Sequence, residues 1–120
     1  APLFAKGDLL SRVQALQRKN LELLKKSGVR LAIGSDNYTD TSVEEAMYLK
    51  SLNVFDNGEL LKMWCEIGAY TTFPQRKIGH LREGYEANLV VLKGNPLEKF
   101  EYVKDIHLRF KQGHFIDATK

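Results

Sequence analysis

The sequence predicts an α/β fold on three observations: helical periodicity through the first half, one short apolar run between helices, and a strand-rich tail punctuated by glycine. From Asp8 to about Ser27, residues Leu9, Leu10, Val13, Leu16, Leu21 and Leu24 recur at three- and four-residue steps, the pattern of an amphipathic helix. Asp8 is placed to cap its start. Lys25 and Lys26 lie where the helix dipole favours cations, and Gly28 supplies a left-handed stop. Val29, Leu31, Ala32 and Ile33 then form an apolar run interrupted only by Arg30, which suits a strand buried on both faces in a parallel sheet. The run ends in a polar loop, Gly34 to Thr41.

A second helix is expected near Ser42, where Thr41 with Glu44 and Ser42 with Glu45 form overlapping capping boxes. Its buried side would carry Val43, Ala46, Met47 and Tyr48 or Leu49. The spacing predicts a third helix from about Gly58 to Tyr70, with Asn57 as cap, Leu60, Leu61, Trp64 and Ile67 inward, and Pro74 as stop. Beyond Arg76 the pattern turns to short strands: Ile78 to Leu81, Asn88 to Lys93, Ile106 to Lys111, and Phe115 with Ile116. The chain thus divides into residues 1–76 and 77–120. Neither part looks self-sufficient, because a single parallel strand between helices leaves both of its hydrogen-bonding edges open. Sequence that completes the sheet, and the true amino terminus, are expected to lie outside these residues.

Composition removes several function classes. No apolar run is long enough to span a bilayer. Lys and Arg exceed Asp and Glu by 18 to 15, a net charge of +3 scattered along the chain, too little to imply a nucleic-acid partner. Cys65 is the only cysteine, so an intrachain disulfide or thiolate metal cluster is impossible, and a reducing compartment such as the cytoplasm is expected. Trp64 and Cys65 read as packing residues of the third helix.

In α/β proteins ligands gather beyond the carboxyl ends of the parallel strands. Here that place is the Gly34 to Thr41 loop, and Asp36 is its one strong candidate for chemistry: a carboxylate two residues past an apolar strand can ligate a cation or take a proton from water. Asn37 and Tyr38 flank it and are candidates to line a substrate pocket. The competing reading is structural, since an aspartate between strand and helix commonly forms an Asx turn or a cap.

Two ordered motifs carry a family resemblance. Ser27-Gly28-Val29-Arg30-Leu31-Ala32-Ile33-Gly34-Ser35-Asp36, followed by Ser42-Val43-Glu44-Glu45-Ala46, resembles the last barrel strand and following helix of the amidohydrolase superfamily. Ile78-Gly79-His80-Leu81, Gly84, Ala87-Asn88-Leu89-Val90-Val91-Leu92 and Asn95-Pro96-Leu97 are similar to its closing signature, most of all in the imidazolonepropionase-like branch. The resemblance covers about Asn20 to Ile116. It implies the last strand and helices of a (β/α)8 barrel plus the carboxyl-terminal strands of a small β-sandwich. It also implies a metal-dependent hydrolase of carbon–nitrogen bonds other than peptide bonds, acting on a cyclic amide or related small molecule. Asp36 would then be both ligand to a divalent metal, zinc by analogy, and the group that moves a proton from the attacking water to the leaving nitrogen.

The departures from the family matter too. There is no His-x-His pair, His80, His107 and His114 all fall in the tail, and Asn88 stands where the family has aspartate. A catalytic zinc needs at least three protein ligands and only Asp36 is in place, so the chain alone is expected to be inactive and to bind no metal. Its implied partners are the remainder of the polypeptide, the substrate and, through exposed strand edges, second copies of itself. The alternative is a noncatalytic interaction module that keeps the fold elements without the metal.

Overall fold

A computed structural model describes residues 6–36, 38–39 and 41–118. Helix α1 spans Lys6–Lys26, so Asp8 lies within its first turn instead of capping it. Gly28 ends it as expected. With φ of +75°, this residue lets its own amide reach the Lys25 carbonyl and the Val29 amide reach that of Leu24, a Schellman closure.

The next segment departs from expectation. Val29 to Asp36 forms no strand. A strand exists only where a neighbour accepts its ladder; here the Val29 amide is taken up by the closure of α1, and the Ile33 amide reaches the Met63 carbonyl by one long bond of 3.4 Å. Only Ile33 of the run is buried.

Helix α2 (Ser42–Ser51) opens with one of the two expected boxes. The Thr41 hydroxyl accepts from the Val43 amide, and the Glu44 carboxylate accepts from the Thr41 amide. The second box does not form, because Ser42 already lies inside the helix and its hydroxyl accepts from the Trp64 indole at 3.1 Å. Helix α3 (Asn57–Lys62) is capped by Asp56, one residue earlier than expected, whose carboxylate accepts from the Glu59 amide at 2.7 Å. It runs on through a π-helical segment, Met63–Ile67, into α4 (Gly68–Thr72). The irregularity has a visible neighbour in Gly79, at φ +91°, whose backbone packs so closely on the Cys65 carbonyl and the Ala69 methyl that a Cβ would stand 2.8 Å from each.

The tail yields three strands, β1 (Leu89–Leu92), β2 (Ile106–Lys111) and β3 (His114–Ala118), in one antiparallel sheet of that order. The hairpin turns at Gln112 and Gly113, both with positive φ, and pairs Lys111 with His114, the two-residue geometry that suits twisted strands. Ile78 to Leu81 is not a strand. It passes over the π segment, where Gly79 sets its course.

One core holds these pieces together. Ala46, Leu49 and Leu52 of α2 and its end meet Phe55, Leu60, Met63 and Ile33, and the cluster is closed from the tail by Phe100 and Val103, which lie on a 3-10 turn (Phe100–Lys104). Phe100 is 1% exposed. By contrast, Leu9, Leu10, Val13 and Leu16 of α1 are all exposed. The helix is amphipathic as its spacing says, yet the amino-terminal part of its apolar stripe, from Leu9 to Leu16, stays exposed among the described residues. Only Leu21 touches the core, and polar tethers do the rest: Arg18 donates to the Leu52 carbonyl at 2.8 Å, and Lys25 donates to Val54 and pairs with Glu59. The outcome is a radius of gyration of 16.9 Å, where a compact domain of this length has about 14 Å.

Replacing Phe100 by alanine should lower the unfolding free energy by about 3–5 kcal/mol, whereas Leu16→Ala should change it by less than about 0.5 kcal/mol. Urea denaturation followed through Trp64 fluorescence checks this. Equal losses would mean that α1 packs its stripe in solution.

Candidate active site

The polar loop and the start of α2 enclose an open cleft of about 630 Å³. Gly34, Ser35 and Asp36 form one wall, and Thr41, Glu44, Glu45 and Tyr48 the other. Asp36 is exposed. No hydrogen-bond donor among the described residues is bound to its carboxylate, while the cap of α2 is made by Thr41. The structural role open to an aspartate at this point is therefore filled by another residue, and the acceptor capacity of Asp36 is unspent.

The rest of the lining was only partly foreseeable. Tyr38 is fully exposed and does not line the cleft; Asn37 lies outside the described residues. The aromatic group in the wall is Tyr48, whose hydroxyl donates to the Gln17 side chain of α1. A readable signal existed, because Thr41, Glu44 or Glu45, and Tyr48 recur at helical spacing and so share one face of α2.

Electrostatics of the cleft are set by carboxylates. Glu44 is held below the ordinary carboxylate range, chiefly because the Thr41 hydroxyl donates to it at 2.6 Å, then through hydrogen bonds from the backbone amides of Glu44 itself and Thr41. Among the described residues, no group of three or more His, Cys, Asp or Glu side chains is arranged to hold a metal ion. Asp36 is a suitable single ligand, but this donor set does not build a catalytic metal centre, which needs about three protein ligands.

The histidines serve elsewhere. His80 Nδ1 lies 3.7 Å from Glu66 and its ring meets Tyr85 edge-on at 5.4 Å, while His107 and His114 sit on β2 and β3. Cys65 reaches solvent at its edge, yet the protein around its thiol raises the pKa and the Glu66 carboxylate adds to this, which makes it a poor nucleophile. No described helix is long and apolar enough to cross a membrane.

Comparison with known proteins bears on this cleft. Residues 10–116 match the model of the amidohydrolase family. Among solved structures, an uncharacterised protein superposes with a TM-score of 0.74 at 27% identity, over 85% of this chain and 26% of its own. A prolidase complexed with N-methylphosphonate-L-proline gives 0.73 at 26% identity, with the same 85% and 26% coverage. A protein solved as an amidohydrolase shares the fold, with a TM-score of 0.74 at 23% identity. No protein of curated function matches. The chain thus spans 26% of the length of the solved relatives it matches.

Because its folded pKa is depressed, Glu44 contributes stability that is present above the ordinary carboxylate value and lost as pH falls through the lowered one. A carbon-detected NMR titration should find the Glu44 carboxyl protonating at lower pH than a free glutamate, and Thr41→Ala should return it toward the ordinary value while costing about 1 kcal/mol as a lost cap. An unshifted titration in the unaltered protein would mean the box is open in solution.

Proposed function

Because the chain belongs to the amidohydrolase family, we propose that it forms the carboxyl-terminal part of a metal-dependent hydrolase of carbon–nitrogen bonds and that Asp36 is its contribution to the catalytic centre. The observation that carries this reading is the free carboxylate of Asp36, presented at the wall of a cleft and relieved of capping by Thr41. The divalent metal the family generally uses, zinc by analogy, would activate the attacking water. Its other ligands belong to polypeptide outside these residues. The chain's own part is to offer Asp36 as one ligand and to hold at that carboxylate a proton that passes from water to the leaving nitrogen.

The remainder of the same polypeptide is the proposed partner, docking on surfaces that have no cover here. These are the unpaired run from Val29 to Ile33, the stripe of α1, and the outer edges of β1 and β3. Completed in this way, Val29 to Ile33 becomes the last strand of a barrel and the sheet becomes half of a sandwich. For substrate, cyclic amides of the imidazolonepropionase-like kind are proposed from the closing signature. The likeness to a prolidase adds amides of proline as a class to assay beside them.

A noncatalytic module is the second reading, favoured by the core that the chain builds for itself and by its single suitably placed ligand. Full-length protein separates the two. Asp36→Asn should lower turnover by orders of magnitude while leaving the circular dichroism spectrum and melting temperature in place; unchanged turnover would remove Asp36 from the chemistry. Taken alone, the 120-residue chain should self-associate through its open edges and stripe. A compact monomer by light scattering at high concentration would count against these surfaces being docking sites.

A further inference from the structure

Apart from the acidic cleft and sharing none of its lining residues, two adjoining cavities of about 310 and 250 Å³ share a wall made by Arg30, Lys62 and Ile67. The charges around them can be assigned one by one. Glu59 is paired with Lys25, and Glu66 faces His80. Arg30 lies with its guanidinium over the Tyr70 ring, 5.2 Å from the centroid, and its N–H donors have no hydrogen-bond partner among the described residues. Lys62, in the last turn of α3, likewise has no carboxylate or carbonyl partner among the described residues.

We propose that Arg30 and Lys62 form an anion-binding site for a small phosphoryl-bearing ligand, with Tyr70 and Ile67 as its apolar wall. Two cations with unspent donors stand on different elements, the unpaired run before the active-site loop and the end of α3, and both line the same 310 Å³ cavity. A guanidinium held over an aromatic ring can present the two-pronged edge that matches phosphate oxygens, and an ammonium in the same cavity supplies the point charge. The one carboxylate in that cavity, Glu66, is turned to His80, so it does not compete for either cation. Neither the family assignment nor Asp36 enters this site, but Arg30 belongs to the run proposed above to accept a neighbouring strand, so the titration is made at a concentration where light scattering finds the chain monomeric.

The test is a titration of the 120-residue chain with inorganic phosphate at constant ionic strength, read by the backbone amide resonances and the Arg30 side-chain resonance. Saturable shifts confined to Arg30, Lys62, Ile67, Tyr70 and His80 are expected, and acetate at equal concentration should move them less. Arg30→Gln and Lys62→Gln, both at exposed positions, should each weaken the apparent affinity by at least about tenfold with the rest of the spectrum preserved. Arg30→Lys, which keeps the charge and loses the fork, should fall between. Shifts that never saturate, that respond as strongly to acetate, or that persist in Arg30→Gln would overturn the proposal.

Discussion

The insertion of Phe100 among the side chains of α2 and α3 is the interaction on which the rest of this structure depends. The 3-10 turn that carries it is the point where the strand-rich tail enters the helical core, and the ring is almost wholly removed from water. Without that plug, the cluster would be open on the side of the tail, and α2 would lose part of the surface that holds it. The position of the cleft follows, since α2 supplies one wall and the other is fixed through Ile33, which reaches the same core. Residues apart in sequence thus share one hydrophobic cluster, although the composition of the chain changes sharply near Arg76.

What was legible in the sequence was mostly local. The Gly28 stop and the Thr41 box are each decided by a few neighbouring residues, and each appears where the residues place it. Strand formation at Val29 to Ile33 was not decidable locally, because an apolar run becomes a strand only when another backbone accepts its hydrogen bonds. The stripe of α1 illustrates the same limit. Periodicity says which face is apolar, but the presence of something to bury it on is a property of the assembled fold.

The candidate site divides along the same line. Asp36 could be picked out because its place after the apolar run is chemically distinctive. Tyr48 could not be assigned to the cleft without knowing which face of α2 turns toward the loop, and the hydroxyl of Ser42 was diverted from its expected capping role by the Trp64 indole, two helices meeting across 22 residues. A single carboxylate with unspent acceptors is a modest piece of machinery. Its meaning comes from the family match over residues 10–116 and from relatives whose chains are far longer than this one.

The π-helical turn at Met63–Ile67 has an implication for how this region tolerates length changes. Such a turn is an ordinary helix holding one surplus residue, so deleting a single position there would let the hydrogen bonding relax to the regular pattern without breaking the rod. Everything beyond it would keep its angular place, because the surplus residue is held as a bulge and adds no step of about 100° around the axis. Ala69 would still face Gly79, but the widened turn whose Cys65 carbonyl the Gly79 backbone packs against would close up. The surplus residue therefore shapes the local seat for the tail without setting its direction, and a chain that lost it would alter the contact at Gly79 while keeping the helix axis.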